Sequence, residues 1–258
     1  MKRQRNSQSA GQAESLFGDL SVVEALSHSE TIALPANDSL EKIREDLERS
    51  PACGVCKAGM PIVFGVGPER AELMLVGEGP GIDDQPSQQP FQGQAGVLLT
   101  RMLAAINLAR QECYLCNVVK CIPPGERVFS VEEVEDCRPI LLRQILAVQP
   151  RVIVALGALA AQTLLRSKKT ISDLRGRSYE FRLNDAEMII VPTFNPAYLL
   201  RVAEKKREAW EDLKLVRALL QNDIDATYVE IDSNYGHDAF LLEVDRLKEL
   251  TRDFLKRV

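Results

Sequence analysis

Short apolar runs that alternate with helical patterns constrain the fold of this chain more than any other feature. Four runs have the length and composition of strands, at residues 71–76, 114–119, 151–156 and 187–192. Helical patterns lie around and between them, at residues 39–50, 96–108, 130–148, 158–165 and 204–220. Strands that alternate with helices predict an α/β fold with a parallel sheet covered on both faces. Sites in such sheets lie at the carboxyl ends of the strands, so we expect chemistry in segments 77–91, 117–127 and 193–201.

Two serines predict where helices begin. Ser39 precedes a charged helical pattern. Ser130 is followed three residues later by Glu133, which is the spacing of a capping box. We therefore expect helices to start at these two serines, the second one running to about Val148.

Four of the six cysteines have the spacing of ligands. Cys53 and Cys56 form a C-x-x-C pair, and Cys121 and Cys137 lie sixteen positions apart. Thiolates at such spacings suit a metal ion or an iron–sulfur cluster, because one tight turn can present two sulfurs to one metal centre. The long gap between the pairs means that these ligands would fasten an N-terminal segment to the interior of a domain.

Length and composition favour an intracellular globular protein. The 258 residues suffice for one large α/β domain with appendages. No run approaches eighteen apolar residues, which predicts no transmembrane helix and no membrane partner. No apolar segment follows the basic residues Met1–Arg5, so we expect no secretion signal and a cytoplasmic location. In that reducing setting, the cysteines favour metal ligation or free thiols over disulfides.

The net charge of −5 is unevenly distributed. Residues 223–258 hold nine acidic and five basic residues, which leaves the rest of the chain nearly neutral. A local basic face would suffice for a nucleic-acid partner. Candidate segments are 168–169, 175–177 and 201–207, although the same residues would also serve as solvated helix ends and loops.

The composition also predicts three regions. Residues 1–38 are polar with few aromatic residues, and we expect a flexible N-terminal arm. Residues 39–222 form the main domain, and residues 223–258 are an appended tail. Within the arm, Gln12–Phe17 resembles the short peptides that bind bacterial sliding clamps, so the clamp is a candidate partner; a chance Leu-Phe pair in a polar arm is the alternative.

The first glycine-rich turn places acidic groups at the end of a strand. Gly77-Glu78-Gly79-Pro80-Gly81 allows a ligand to approach the backbone closely, with the Glu78 carboxylate at the rim. Asp83 and Asp84 follow on the same loop. Such a cluster can hold a metal ion, or position a water and stabilise a cationic transition state. A tight turn with a solvated glutamate is the alternative.

Two further residues have the chemistry of base recognition. Phe91 is an aromatic residue in a polar loop, where it would either stack on a base or anchor the loop in the core. Asn117 ends a predicted strand and offers a donor and an acceptor. An amide of this kind can read the edge of a nucleobase, or it can satisfy backbone groups.

Several of these motifs stand together in one order. They are Cys53-x-x-Cys56, Gly77-Glu78-Gly79-Pro80-Gly81, Pro90-Phe91-x-Gly93, Asn117-Val118-Val119-Lys120-Cys121-x-Pro123-Pro124, Cys137-Arg138-Pro139 and Pro196-Ala197-Tyr198-Leu199-Leu200-Arg201. In this arrangement, the chain closely resembles the family-4, iron–sulfur uracil-DNA glycosylases. The likeness covers about residues 40–221, which makes it far more specific than a single C-x-x-C pair.

The resemblance implies a fold, a cofactor and a reaction. The fold would be a three-layer α/β/α sandwich with a mostly parallel central sheet, carrying a [4Fe–4S] cluster. The implied cluster ligands are Cys53, Cys56, Cys121 and Cys137, whereas Cys113 and Cys116 would be small core residues. The family flips uracil out of DNA and hydrolyses its N-glycosidic bond to leave an abasic site. We thus expect a DNA-repair hydrolase that acts as a monomer on uracil-containing DNA.

The resemblance also implies roles for individual residues. Phe91 would stack on uracil, Asn117 would read its edge, and the backbone from Gly79 to Gly81 would crowd the pocket. Glu78, helped by Asp84, would orient the attacking water and offset the oxocarbenium charge. Arg201 and Lys206 would contact DNA phosphates.

One departure from the family pattern concerns catalysis. Asn195 stands where the family usually has a histidine that stabilises negative charge on the uracil oxygen. An asparagine amide still donates a hydrogen bond but carries no charge, and weakening one such donor can cost about 10²-fold in rate. Gln89 and Glu126 also replace an arginine and an asparagine of the family, which weakens attraction to phosphate. We expect activity below the family norm; the alternative is a catalytically weak iron–sulfur protein that binds nucleic acid.

The tail has a resemblance of its own. Tyr228–Leu242 is similar to the C-terminal end of homoserine O-acetyltransferases, in which the residue matching His237 belongs to a Ser-His-Asp triad. Such a triad needs its nucleophile on a G-x-S-x-G elbow, which this chain lacks. We therefore interpret the tail as a fusion remnant or a junction near residues 222–227, without acyltransfer activity.

Overall fold

A six-stranded sheet organises the described part of the chain. The computed structural model describes residues 28–31, 38–50, 54, 61–123 and 127–221. The strands lie in the order β1-β5-β6-β4-β2-β3. All neighbouring pairs are parallel except β5 and β6, which are antiparallel. The strand bounds are β1 His28–Glu30, β2 Leu73–Gly77, β3 Tyr114–Asn117, β4 Val152–Leu156, β5 Tyr179–Leu183 and β6 Ala186–Thr193.

Helices connect these strands, and those after Ser39 and Ser130 begin where the sequence predicts. Ser39 Oγ accepts a hydrogen bond from Lys42 N at 3.2 Å. Ser130 and Glu133 form the predicted capping box, with Glu133 Oε2 accepting from Ser130 N at 2.9 Å. The helix bounds are α1 Leu40–Arg49, α2 Gly93–Ala105, α3 Val131–Val148, α4 Ala158–Leu165, α5 Ile171–Leu174, α6 Pro196–Arg201 and α7 Lys206–Gln221. Sequence reasoning missed α5 and α6. No helix among the described residues is both long and apolar enough to cross a bilayer.

Each face of the sheet packs against its own apolar layer. On one face, Met74, Val76 and Ile153 join Leu141 and Ile145 of α3 in a buried cluster. On the other face, alternate residues of the same strands join side chains of α2 and α7: Leu73, Leu75, Val154, Leu103 and Leu213. Strands buried on both faces read as continuous apolar runs, which is why the sequence showed them clearly. The predicted three-layer α/β/α fold is confirmed.

The edge of the sheet differs from the sequence-based expectation. Residues 28–30 were assigned to a flexible arm, but they form β1 and pair with β5. The contacts that hold β1 come from residues far away in the sequence, because the Glu30 carboxylate pairs with the buried Arg138 and also with Arg166. A buried guanidinium needs such a partner. Strand β5 was also missed.

Several predictions fall on residues outside the described ranges. These are the clamp-like Gln12–Phe17, the cysteines Cys53 and Cys56, Glu126, and the tail at residues 223–258 with His237. The described residues up to Leu220 belong to one compact unit. The division into arm, domain and tail stays a prediction.

Candidate active site at the carboxyl ends of the strands

The predicted site residues converge at one edge of the sheet. Strands β2, β3, β4 and β6 are mutually parallel, so their carboxyl ends share this edge. Gly77 at the end of β2 pairs with Asn117 at the end of β3. Leu156 at the end of β4 pairs with Thr193 at the end of β6. Glu78, Gly157 and Asn195 follow these ends, which brings three separate segments together.

Glu78 is a largely buried carboxylate held by hydrogen bonds. Its Oε1 accepts from the backbone N of Leu159 at 3.0 Å, in the first turn of α4. Its Oε2 accepts from Asn195 Nδ2 at 3.4 Å. Burial raises the pKa of Glu78 above its usual value, while the backbone donors of Ala158 and Leu159, Asn195 and the charge of Arg201 oppose that rise. The result is a carboxyl poised to gain or lose a proton nearer to neutrality.

Gly157 makes room for this carboxylate. Its φ of +104° lies in the region that favours glycine, and a Cβ there would lie 2.6 Å from Glu78 Oε1. A larger residue would therefore displace the acid from the start of α4. The sequence already held a signal for this residue, because Gly157 directly follows a buried strand.

Phe91 and Asn117 meet beside Gly77. A Cβ on Gly77 would lie 2.3 Å from Asn117 Oδ1 and 2.6 Å from Phe91 Cζ. Both side chains are buried. Among the described residues, Asn117 Nδ2 is buried and has no hydrogen-bond partner. Since buried donors are rarely left unpaired, this amide is open to a ligand that offers an acceptor.

The Phe91 loop is braced from two sides. Phe91 has a φ of +57°, an uncommon backbone conformation for an aromatic residue. Asp84 accepts from Gly81 N at 3.0 Å with one oxygen and from Gln92 N at 2.7 Å with the other. Arg110 donates to the carbonyls of Pro90 and Phe91, at 2.8 and 3.1 Å. Asp84 therefore joins two loops of the site, and sequence reasoning missed Arg110.

Asn195 uses both ends of its amide within the protein. Its Oδ1 caps α6 by accepting from Ala197 N at 2.9 Å. Its Nδ2 donates to Glu78 Oε2 and to Leu156 O, both at 3.4 Å. The structure thus brings Asn195 to Glu78.

The two glycines predicted to crowd the pocket differ. A Cβ on Gly79 would lie 2.2 Å from Cζ of Phe129, a residue that sequence reasoning did not select. A Cβ on Gly81 would meet nothing within 4 Å. Close approach therefore explains a glycine at position 79 and not at position 81.

The two predicted phosphate contacts are exposed cations on α6 and α7. Arg201 ends α6, is exposed, and lies near enough for its charge to lower the pKa of Glu78. Lys206 begins α7 and is also exposed. It borders a shallow apolar groove with Leu98, Met102 and Trp210.

A buried ion pair supports the loop that carries Asn195. Asp212 on α7 accepts from Thr193 Oγ1 at 2.6 Å and from Gly176 N at 3.0 Å. Arg175 donates to Asp212 at 2.9 and 3.0 Å, and its guanidinium lies 5.4 Å from the ring centroid of Phe194. The end of β6 is therefore fastened to α7.

Comparison with known proteins places this site in a family. The model of the uracil DNA glycosylase superfamily matches residues 64–214. A type-4 uracil-DNA glycosylase of Archaeoglobus fulgidus is 38% identical over 186 residues, covering 70% of this chain and 94% of that protein. Its counterpart from Thermotoga maritima is 36% identical over 187 residues, covering 71% and 96%. The chain belongs to the type-4 uracil-DNA glycosylases. It is therefore an enzyme of the glycosylase class, as its motifs predicted.

Two of the four predicted cluster ligands of this glycosylase lie in the part of the chain that the structure describes. Cys121 and Cys137 are buried in one apolar cluster of the core, together with Val134. Cys53 and Cys56 lie outside the described residues, and within the described ones no group of three or more potential metal ligands forms. Cys113 and Cys116 are buried core residues as predicted, and burial raises the pKa of Cys113 to about 11.

A second likeness is confined to the end of the glycosylase chain. A homoserine O-acetyltransferase of Methanosalsum zhilinae is 47% identical over 49 residues, which cover 19% of this chain and 10% of that protein. A homoserine O-succinyltransferase of Hydrogenovibrio crunogenus matches over 45 residues at the same identity. Such short matches agree with the predicted tail fragment and carry no argument for acyltransfer.

Proposed function

We propose that the protein hydrolyses the N-glycosidic bond of uracil flipped out of DNA and leaves an abasic site. One observation carries the proposal: the buried Asn117 amide has an open donor, next to the Phe91 ring and at the same sheet edge as Glu78. A flipped base needs an aromatic face and an edge reader of this kind. The family relationship gives independent support.

The Asn117 amide suits uracil and rejects cytosine. Uracil offers a carbonyl oxygen at C4 and an N–H at N3, which pair with the Nδ2 donor and the Oδ1 acceptor of Asn117. Cytosine offers an amino donor and a bare nitrogen at the same places, so both contacts would oppose like groups. A mismatch that leaves buried polar groups unpaired is expensive, and it gives strong discrimination.

Glu78 is the proposed water-activating group. The bond between N1 of uracil and C1′ of the sugar breaks, and its electron pair leaves on uracil. The water oxygen then bonds C1′, one water proton passes to Glu78, and protonation of uracil completes the balance. The ionised Glu78 also offsets the positive charge that develops on the sugar. Asp84 has a positioning role in this step: both of its oxygens accept backbone hydrogen bonds, which hold Gly81 and Gln92 in place.

Asn195 limits the rate in this proposal. It donates to Glu78 and cannot supply a positive charge to the departing uracil. We expect activity of about 10²-fold below that of an otherwise equal enzyme with a charged donor there. Arg201 and Lys206 are the proposed phosphate contacts, since both are exposed cations and the charge of Arg201 reaches Glu78.

A [4Fe–4S] cluster fits the thiols that are present. Such clusters are held by four cysteine thiolates. Cys121 and Cys137 provide two buried thiols in one core cluster, and Cys53 and Cys56 would provide the others. The cluster, once bound, would supply a cross-link between the N-terminal segment and the domain. Absorbance near about 400 nm distinguishes it from zinc, whose thiolate complexes are colourless because Zn²⁺ is d¹⁰.

The direct test measures base release from an oligonucleotide with one uracil, followed by alkaline cleavage at the abasic site. Glu78→Gln should lower the rate by about 10²–10⁴-fold, because the variant retains the shape but cannot accept a proton. Glu72→Gln is the matched control, since its exposed side chain precedes β2, and it should retain the wild-type rate. Equal rates for Glu78→Gln and wild type would contradict the role of Glu78.

The second candidate is a binding protein that keeps the pocket without efficient chemistry. The observation favouring it is the neutral Asn195 beside Glu78. Under this alternative, the wild type binds uracil-containing DNA and releases no base, while Asn195→His becomes active. Release by the wild type that depends on Glu78 rules it out.

A further inference from the structure

A lysine lies completely inside the protein, three residues after Asn117 in the chain. Lys120 has no exposed surface. Its Nζ donates to the backbone carbonyl of Asn117 and to Gln144 Oε1 on α3. A buried ammonium is costly, whereas a methionine of similar length would fill the space without that cost. The lysine therefore does something that packing does not explain.

Gln144 extends this contact across the core. It is also fully buried, and its Nε2 donates to Phe64 O at 2.9 Å and to Tyr114 Oη at 3.2 Å. Tyr114 begins β3, the strand that Asn117 ends. The lysine and the glutamine thus tie both ends of β3 to helix α3.

The position of this tie matters for recognition. Asn117 is the last residue of β3, where the regular ladder stops. Just beyond it, Val118 N and Val119 N donate to Gly77 O and Glu78 O at 2.9 and 3.1 Å, and Lys120 holds the Asn117 carbonyl from the α3 side. A base-reading amide must be held within about 0.5 Å of its productive place, and this contact to a helix adds to the support that β2 gives.

We infer that Lys120 is a positioning residue for uracil recognition: with Gln144 it fixes the backbone of Asn117 and so aims the Asn117 amide. The inference rests on the proposed function and adds residues that do not touch the base. Loss of the tie should impair base recognition more than it impairs DNA binding in general.

The test compares affinity for two oligonucleotides that differ only in one base. One carries a 2′-fluoro deoxyuridine, which resists hydrolysis, and the other carries the 2′-fluoro deoxycytidine analogue, whose edge opposes both ends of the Asn117 amide. Lys120→Met and Gln144→Met should each lower the preference for uracil by about tenfold, since small misplacements of a recognition group have large effects. Gln144→Glu keeps the acceptor for Lys120 and should retain most of the preference.

The glutamate variant makes the test independent of stability. Both Gln144 variants lose the amide donor to Phe64 O, and only the glutamate keeps an acceptor for Lys120. This pair decides the question even where Lys120→Met does not fold. Arg143→Met is a further control, because Arg143 on the same helix pairs with Asp38 and Asp46 instead. It should lower the melting temperature and leave the preference unchanged.

Two results would overturn the inference. In the first, all variants melt earlier but keep the wild-type preference, which leaves Lys120 a structural residue only. In the second, Gln144→Glu and Gln144→Met lose the preference equally. A wild type with no preference for uracil is a separate result, which rejects the proposed function itself.

Discussion

The two halves of the sheet edge treat their polar groups in opposite ways. At the ends of β2 and β3, the Asn117 amide keeps a buried donor without a partner among the described residues. At the ends of β4 and β6, the Asn195 amide caps α6 with one end and contacts Glu78 with the other. The Asn117 amide therefore keeps a donor for a ligand, whereas both ends of the Asn195 amide already have hydrogen-bond partners within the protein.

This contrast separates recognition from chemistry. An unpaired buried donor raises the energy of the empty site, and a base with the right acceptor removes that penalty on binding. A carboxylate that must be oriented for catalysis needs the reverse, namely partners already in place before substrate arrives. The following predictions alter one half at a time.

The largest effect is expected from filling the space beside Asn117 and Phe91. Gly77→Ala places a Cβ 2.3 Å from Asn117 Oδ1 and 2.6 Å from Phe91 Cζ, which forces both recognition groups to move. Base release should fall by about 10²-fold or more. Gly81→Ala is the control in the same loop, because its Cβ meets nothing within 4 Å. Similar losses in both variants would show that the loop, and not the pocket, is sensitive.

The next largest effect is expected from weakening the support of the loop that carries Asn195. Asp212→Asn removes the charge that pairs with Arg175, and one of the bonds to Thr193 or Gly176 is lost with it. The free energy of unfolding in urea should drop by about 2–3 kcal/mol. Glu211→Gln, on the exposed side of the same helix, should cost less than about 1 kcal/mol. An equally small cost at Asp212 would contradict the support given to the Asn195 loop.

Replacing Asn195 tests its effect on base release directly. Asn195→His should raise the rate of base release by about tenfold or more, because a charged ring stabilises the departing uracil. An unchanged rate in single-turnover measurements would remove Asn195 as the cause of weak activity.

The smallest effect concerns pH. Burial raises the pKa of Glu78, and the ionised form is required, so the rate should fall as pH drops through a value above the usual range of a carboxyl. Arg201→Gln removes a charge that lowers this pKa, and it should move the acid limb of the profile slightly higher. The shift is small because Arg201 is exposed. A shift to lower pH would reject this assignment of the limb.

Local patterns in the sequence predict the described fold well where one strand or helix suffices. The helix Ala158–Leu165 matches its predicted bounds, since Gly157 and the apolar run define it locally. β5 was missed although Tyr179–Leu183 alternates buried and exposed residues, which is the usual pattern of a half-covered strand. β1 has three residues and no local pattern, so only its distant ion pairs could reveal it.

The site shows the same division. Glu78, Asn117 and Asn195 were predictable, because each follows or ends a strand that the sequence makes visible. The contact between Asn195 and Glu78 was not, since it joins residues from β2 and β6 that lie on either side of β4 in the sheet. Phe129 and Arg110 act through packing and backbone contacts, which leave no motif in the sequence.

The open donor of Asn117 has a consequence for turnover. A pocket that completes its hydrogen bonds with uracil does so equally well once the base is free, because the recognised edge is unchanged by hydrolysis. Released uracil therefore competes with the next damaged site.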